Sequence, residues 1–100
     1  MYDPNNLKKF TRLGELAPDA FNAFVAFDQA AFEGGEIPLK HKELIAVAVA
    51  LTTQCPYCID IHTKRARAAG ATEQELAETT LVAAALRAGG AMTHGTHTLE

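Results

Sequence analysis

The stretch Glu43 to His62, ELIAVAVALTTQCPYCIDIH, decides the fold. Its first half, Leu44 to Leu51, is apolar on every side of a helix, the pattern of a segment buried all round. Its second half opens a new helix at Pro56, because proline is favoured at the first helical position, where its missing N–H is no loss. With only Thr53 to Cys55 between them, the two helices are expected to fold back as an antiparallel hairpin. No segment shows convincing strand alternation, so the fold class is all-α: a compact domain built around this hairpin.

Outward from the hairpin, punctuation is regular. Pro4, Pro18 and Pro38 each precede a helix-compatible stretch, as Pro56 does. Gly70 suits the end of one helix, and Thr72 with Glu75 has capping-box spacing at the start of the next. These signals predict helices at roughly 4–15, 18–33, 38–53, 56–69 and 73–88, with boundaries good to about two to four residues. Gly89 and Gly90 are expected to interrupt the last helix, leaving 91–98 as a short sixth helix or a tail. Phe21, Phe24, Phe27 and Ala31 form an apolar stripe read as core packing.

A bundle this small does not easily surround a helix that is apolar all round. Nineteen alanines permit close helix approach, and Leu81 to Leu86 form a second apolar patch, so an obligate homo-oligomer is expected.

Composition bounds the function. A chain of 100 residues with 48% hydrophobic and 21% charged residues reads as one globular domain spanning 1–100. A net charge of −3 without basic runs gives no footprint for nucleic acid or anionic membrane. The longest apolar run, Leu44 to Leu51, is too short to cross a bilayer, and the start, MYDPNNLKKF, lacks an apolar signal core. The expected location is the cytoplasm. There, two cysteines three apart point to redox or metal chemistry and away from a structural disulfide framework.

The spacing favours redox chemistry. Cys55 falls at the N-cap of the helix begun by Pro56, where its sulfur can accept backbone N–H bonds and feel the positive end of the helix dipole. Cys58 is one turn on, and His62 is four residues beyond it on the same face. Across the hairpin, Glu43 lies about 15 Å back along one axis and His62 about 9 Å along the other, an offset of about one turn at about 1.5 Å per residue. A carboxylate facing an apolar hairpin needs a partner, and His62 is available. The expected relay runs from Glu43 to His62 to Cys58, with Cys55 completing the dithiol. The N-cap favours Cys55 as the activated sulfur and histidine adjacency favours Cys58; the balance leans to Cys58. No cofactor is called for. A zinc site recruiting His94 and His97 is the metal alternative, but their gap is tighter than finger spacing and no second cysteine pair exists.

Glu43, Cys55-Pro56-Tyr57-Cys58 and His62, within an all-helical chain of this length, resemble the alkylhydroperoxidase D-like branch of the carboxymuconolactone decarboxylase family. The resemblance covers nearly the whole chain. It implies an antiparallel hairpin fold assembled as trimers or hexamers, with dithiol peroxidase or disulfide reductase activity. It also implies a peroxide or disulfide substrate, an external dithiol reductant and a peroxiredoxin partner. Carried over by position, the family's proton relay falls on Glu43 and His62 and its redox pair on Cys55 and Cys58. The better-known peroxidase members have a second histidine where this chain has Tyr57, a departure that bears on peroxide turnover and on the peroxiredoxin partner. Two other readings share the fold. One is a lactone-processing decarboxylase, which has no need of two cysteines; the other is a non-enzymatic oligomeric thiol sensor.

Overall fold

The structure is a computed structural model that describes residues 2–100. Among these residues there are five α-helices and no strand: α1 (Phe10–Leu16), α2 (Pro18–Phe32), α3 (Leu39–Thr53), α4 (Pro56–Ala68) and α5 (Glu73–Gly95). Short 3-10 helices, Pro4–Lys9 and Thr96–Thr98, precede α1 and follow α5. The helices fall into two compact units, one running to Leu39 and the other spanning Lys40–Glu100.

In the first unit, Asp3 accepts the Asn5 N–H at 2.9 Å and caps the opening 3-10 helix, with Pro4 at its first position. The single helix expected over 4–15 is therefore a 3-10 segment followed by α1. Phe10 meets Phe21 edge to face, with ring centroids 5.1 Å apart. Gly14 permits that approach, since a Cβ there would stand 2.7 Å from the Phe21 ring.

The second unit carries the cysteines, and local motifs set its geometry. At the end of α4, Gly70 takes φ +97. Its N–H reaches Arg67 O at 3.0 Å while the Ala71 N–H reaches Ala66 O at 2.9 Å, a Schellman motif whose accompanying apolar residues, Ala66 and Ala71, are buried. The expected capping box is present: the Glu75 N–H donates to Thr72 Oγ1 at 3.1 Å, and the Thr72 N–H donates to Glu75 Oε1 at 2.9 Å. Glu75 Oε2 also receives Lys40 Nζ at 3.0 Å, which ties the start of α3 to the start of α5. The Thr72 N–H, then Lys40, hold the Glu75 carboxyl below its usual range.

Two expectations need correction. Gly89 and Gly90 do not interrupt the last helix, which continues to Gly95. Glycine in a helix interior costs about 1 kcal/mol relative to alanine but leaves every backbone hydrogen bond possible. With Ala83, Ala84, Ala85, Ala88 and Ala91 around the pair, propagation wins. Nor does the stripe on α2 pack as core within the chain, since Phe24 is 52% and Phe27 70% exposed; α3, as expected of a helix that a small bundle cannot surround, is covered on one face only. It buries Glu43, Val47 and Ala50, one face at spacings of four and three, while Ile45 and Val49 are about half exposed. Among the described residues the buried apolar side chains are small, Val47, Ala50, Ala66, Ala71 and Ala83, and no large side chain is fully buried.

Candidate functional site: a dithiol beside a buried Glu-His pair

Cys55 belongs to two motifs at once. As the second residue past α3, its N–H donates to Ala50 O at 3.1 Å, the long bond of a Schellman turn. The residue before it, Gln54, supplies the left-handed conformation with φ 58, where glycine is usual. As the N-cap of α4, with extended backbone ahead of Pro56, Cys55 turns its sulfur onto the helix start, where the Cys58 N–H donates to it at 3.3 Å.

Cys58 completes one helical turn, and its Sγ lies 2.9 Å from Cys55 Sγ, close enough for the pair to share a hydrogen bond. Both thiols are free and partly exposed. Because Cys55 Sγ already accepts a backbone N–H, the shared proton belongs on Cys58. The hydrogen bond from Cys58, reinforced by backbone N–H groups, lowers the Cys55 thiol. The same hydrogen bond, with burial and the nearby Cys55 charge, pushes Cys58 up to about 11. These hydrogen bonds favour Cys55 over Cys58 as the place of the charge when the reduced pair loses one proton. Histidine adjacency in the sequence leans to Cys58, whereas the hydrogen bonds at the N-cap favour Cys55.

Glu43, on the buried face of α3, is 3% exposed. Its Oε1 lies 2.7 Å from His62 Nδ1, a contact spanning 19 residues that requires α3 and α4 to fold back on each other. The expected one-turn offset across the hairpin is thus absorbed. With the carboxylate accepting from Nδ1–H, the basic nitrogen of a neutral His62 is Nε2, on the other side of the ring. The four expected residues form two couples, Glu43 with His62 and Cys55 with Cys58, all carried by the α3–α4 hairpin. His94 and His97 lie apart from this arrangement in sequence, His94 in the last turn of α5 and His97 in the 3-10 helix after it, with ring centroids 5.4 Å apart. Among the described residues, no group of three or more His, Cys, Asp or Glu could hold a metal ion.

One contact had no signal in the sequence. Arg87 Nη1, on α5, donates to the Thr52 carbonyl at 2.7 Å, across 35 residues. Only the general rule that the last carbonyls of a helix need donors would have prompted a search for it.

The sequence pattern of the carboxymuconolactone decarboxylase family matches residues 18–100. The chain belongs to that family. Among its relatives is uncharacterized protein 4 in the cox locus of Paracoccus denitrificans, 46% identical over 78 residues, which are 78% of this chain and 70% of the relative. An uncharacterized protein of Cupriavidus necator is 41% identical over 71 residues, covering 71% of this chain and 63% of that one. A shorter match joins 39% of the chain, at 46% identity, to 11% of an alkyl hydroperoxide reductase of Mycobacterium tuberculosis. Among solved structures, a carboxymuconolactone decarboxylase family protein from Legionella pneumophila superposes with a TM-score of 0.78 and 33% identity, covering 82% of this chain and 73% of that one. A protein from Methanobacterium thermoautotrophicum superposes with a TM-score of 0.81 and 36% identity, covering 86% and 97%. The all-α fold is shared with these two solved structures. No helix among the described residues is long and apolar enough to cross a membrane.

Proposed function

We propose that this family member is a thiol-dependent oxidoreductase, a peroxidase or disulfide reductase that cycles Cys55 and Cys58 between dithiol and disulfide. The observation that carries the reading is the 2.9 Å approach of two free sulfurs at a helix N-terminus, on the hairpin that also buries the Glu43–His62 pair. Cys55, as thiolate, attacks a peroxide oxygen; the O–O bond breaks, Cys55 becomes a sulfenic acid, and the departing alkoxide takes a proton. The Cys58 thiol then attacks the Cys55 sulfur, the S–S bond forms, and hydroxide leaves as water with the Cys58 proton. Two electrons have passed from the dithiol to the peroxide. With a disulfide as oxidant, a thiolate leaves in place of the alkoxide. An external dithiol returns both electrons and both protons. His62, oriented by Glu43, is the group on α4 suited to hold the Cys58 proton in transit.

The cytoplasm, where reductants are at hand, suits this cycle. A second copy of the chain is the expected cover for the apolar side chains left exposed on α3 and α5, including Ile45, Val49, Leu81 and Leu86, in a trimer or hexamer. Tyr57, rather than a second imidazole, separates Pro56 from Cys58, so a disulfide oxidant ranks beside peroxide and a peroxiredoxin partner is not required. A lactone-processing decarboxylase would have no use for the paired sulfurs.

The test is turnover of hydrogen peroxide, an alkyl hydroperoxide and a small disulfide with a dithiol donor, with free thiols counted before and after oxidant. The expected result is reversible loss of two thiols with catalytic consumption of at least one oxidant, abolished in Cys55→Ser and Cys58→Ser. Reversible oxidation without turnover would favour a thiol sensor. Unreactive thiols together with release of carbon dioxide from a lactone acid would favour the decarboxylase.

A further inference from the structure

The last carbonyls of α3 lie beside the segment that delivers Cys55, and helix geometry leaves such groups without partners of their own. The Cys55 N–H satisfies Ala50 O, whereas Thr52 O is satisfied from outside the hairpin by Arg87 Nη1 at 2.7 Å. Two hydroxyls nearby cannot take over. Thr52 Oγ1 donates to Val49 O at 2.8 Å and Thr80 Oγ1 donates to Leu76 O at 2.9 Å, each within its own helix. The remaining walls of the shallow cavity of about 180 Å³ at this place, Leu51, Ala83 and Ala84, offer no side-chain donor. Arg87 is therefore the side chain around this cavity equipped to cap Thr52.

The turn it caps needs external support. Gln54 holds a left-handed backbone, φ 58, that residues with a side chain seldom adopt. A shift of the Thr52–Cys55 segment by a fraction of an ångström would loosen the 3.3 Å bond from the Cys58 N–H and the 2.9 Å approach of the sulfurs together. We propose that Arg87 is a positioning residue for the dithiol: by capping the Thr52 carbonyl it fixes the left-handed turn that sets Cys55 Sγ on the N-terminus of α4. The inference rests on the dithiol reading for its purpose, but its test does not require turnover.

The experiment measures the iodoacetamide alkylation rate of Cys55 against pH, resolved from Cys58 by fragment-ion mass spectrometry, in the parent chain, Arg87→Met and Arg87→Met with Gln54→Gly. In Arg87→Met the midpoint is expected to move up toward an ordinary thiol, with alkylation at pH 7 falling about three- to tenfold. Adding Gln54→Gly, which makes the left-handed turn native to its residue, is expected to recover most of the loss without restoring the charge. A profile in Arg87→Met that superposes on the parent's, whether or not the melting temperature falls, overturns the proposal. So does a slowed rate that Gln54→Gly fails to recover, because the loss then belongs to the missing positive charge. Should Arg87→Met not fold, Arg87→Ala, which likewise offers no donor, is read the same way: a raised midpoint supports the role and an unchanged one ends it. A parent chain without turnover but with the expected Arg87→Met shift would defeat the enzyme reading and leave this inference standing.

Discussion

Removing Cys55 should make Cys58 more reactive, not less. Three causes raise Cys58 from an ordinary thiol value of 9.0 to about 11: the hydrogen bond to Cys55, burial, and the negative charge of Cys55, in that order. Cys55→Ala removes the first and third and leaves burial. Were burial negligible, the full drop of about two units would raise the thiolate fraction at pH 7 about a hundredfold. A less basic thiolate is also a weaker nucleophile, with a Brønsted slope of about 0.4–0.5, which offsets roughly six- to tenfold of that gain. Allowing for burial, alkylation of Cys58 at pH 7 should accelerate about three- to fifteenfold. The reciprocal variant, Cys58→Ala, removes the largest cause of the Cys55 lowering but leaves backbone N–H donors in place. Cys55 should then slow modestly while its midpoint stays below that of a free thiol. Timed iodoacetamide quenches on the two single-cysteine variants, scored by intact mass, measure both rates. Cys58 alkylating no faster in Cys55→Ala than in the parent would refute the assignment of the proton to Cys58 and of the charge to Cys55.

Stability should carry the same signature. Cys55, lowered in the folded chain, contributes stability that is present above its unfolded value near 9 and lost as pH falls through the folded value, whereas Cys58, raised to about 11, contributes stability that is present below 9 and lost as pH rises toward 11. Denaturant midpoints of the reduced parent, relative to the Cys55→Ser, Cys58→Ser double variant, should therefore peak near pH 9 and fall on both sides; a flat difference would exclude the coupling. His62→Ala strands a carboxylate that is 3% exposed and should cost about 3–5 kcal/mol, while Glu43→Leu with His62→Leu together should cost far less. Thermal melts at fixed protein concentration check this, since about 1 kcal/mol moves the midpoint of a domain this size by roughly 4–8 °C; additive losses in the double variant would refute the pairing. Cys55→Ser should be at least as stable as the parent by the same melts, because serine is a preferred N-cap and the backbone bond to Ala50 O is unaffected.

What the sequence disclosed was local. Pro18 and Pro56 begin helices, Gly70 ends one, and Thr72 and Glu75 cap another, because each acts on backbone groups within a few residues of itself. The Glu43–His62 contact spans 19 residues and was still legible, since a tight turn between two helices converts sequence offsets into axial distances. The Arg87–Thr52 bond was not legible, because nothing near either residue fixes the register of α5 against α3. The left-handed Gln54 was hidden for another reason: glutamine carries no turn signal, and the hairpin imposes the conformation on it. Gly89 and Gly90 misled because the per-residue penalty of glycine was read as a stop, when surrounding alanines allow the helix to absorb it. The apolar circumference of α3 was read correctly as a sequence property, but one chain covers one face of it, with Ile45 and Val49 left outside.

Stability alone does not account for the hairpin's composition. A core built from alanine and valine has little apolar area to spend, yet it encloses a carboxylate and a histidine where two leucines would be as stable or more so. At the N-cap of α4, where serine, threonine, aspartate or asparagine would bind the backbone N–H groups more strongly, stands a thiol that accepts one at 3.3 Å. Beside it, Gln54 occupies a position that glycine would fill without strain. These are three departures from the most stable choice, and they fall within one hairpin, around two sulfurs 2.9 Å apart. Independent accidents of packing would scatter over the fold. Departures gathered at a pair of thiols, each setting charge, proton or backbone position there, are what the proposed dithiol chemistry would call for.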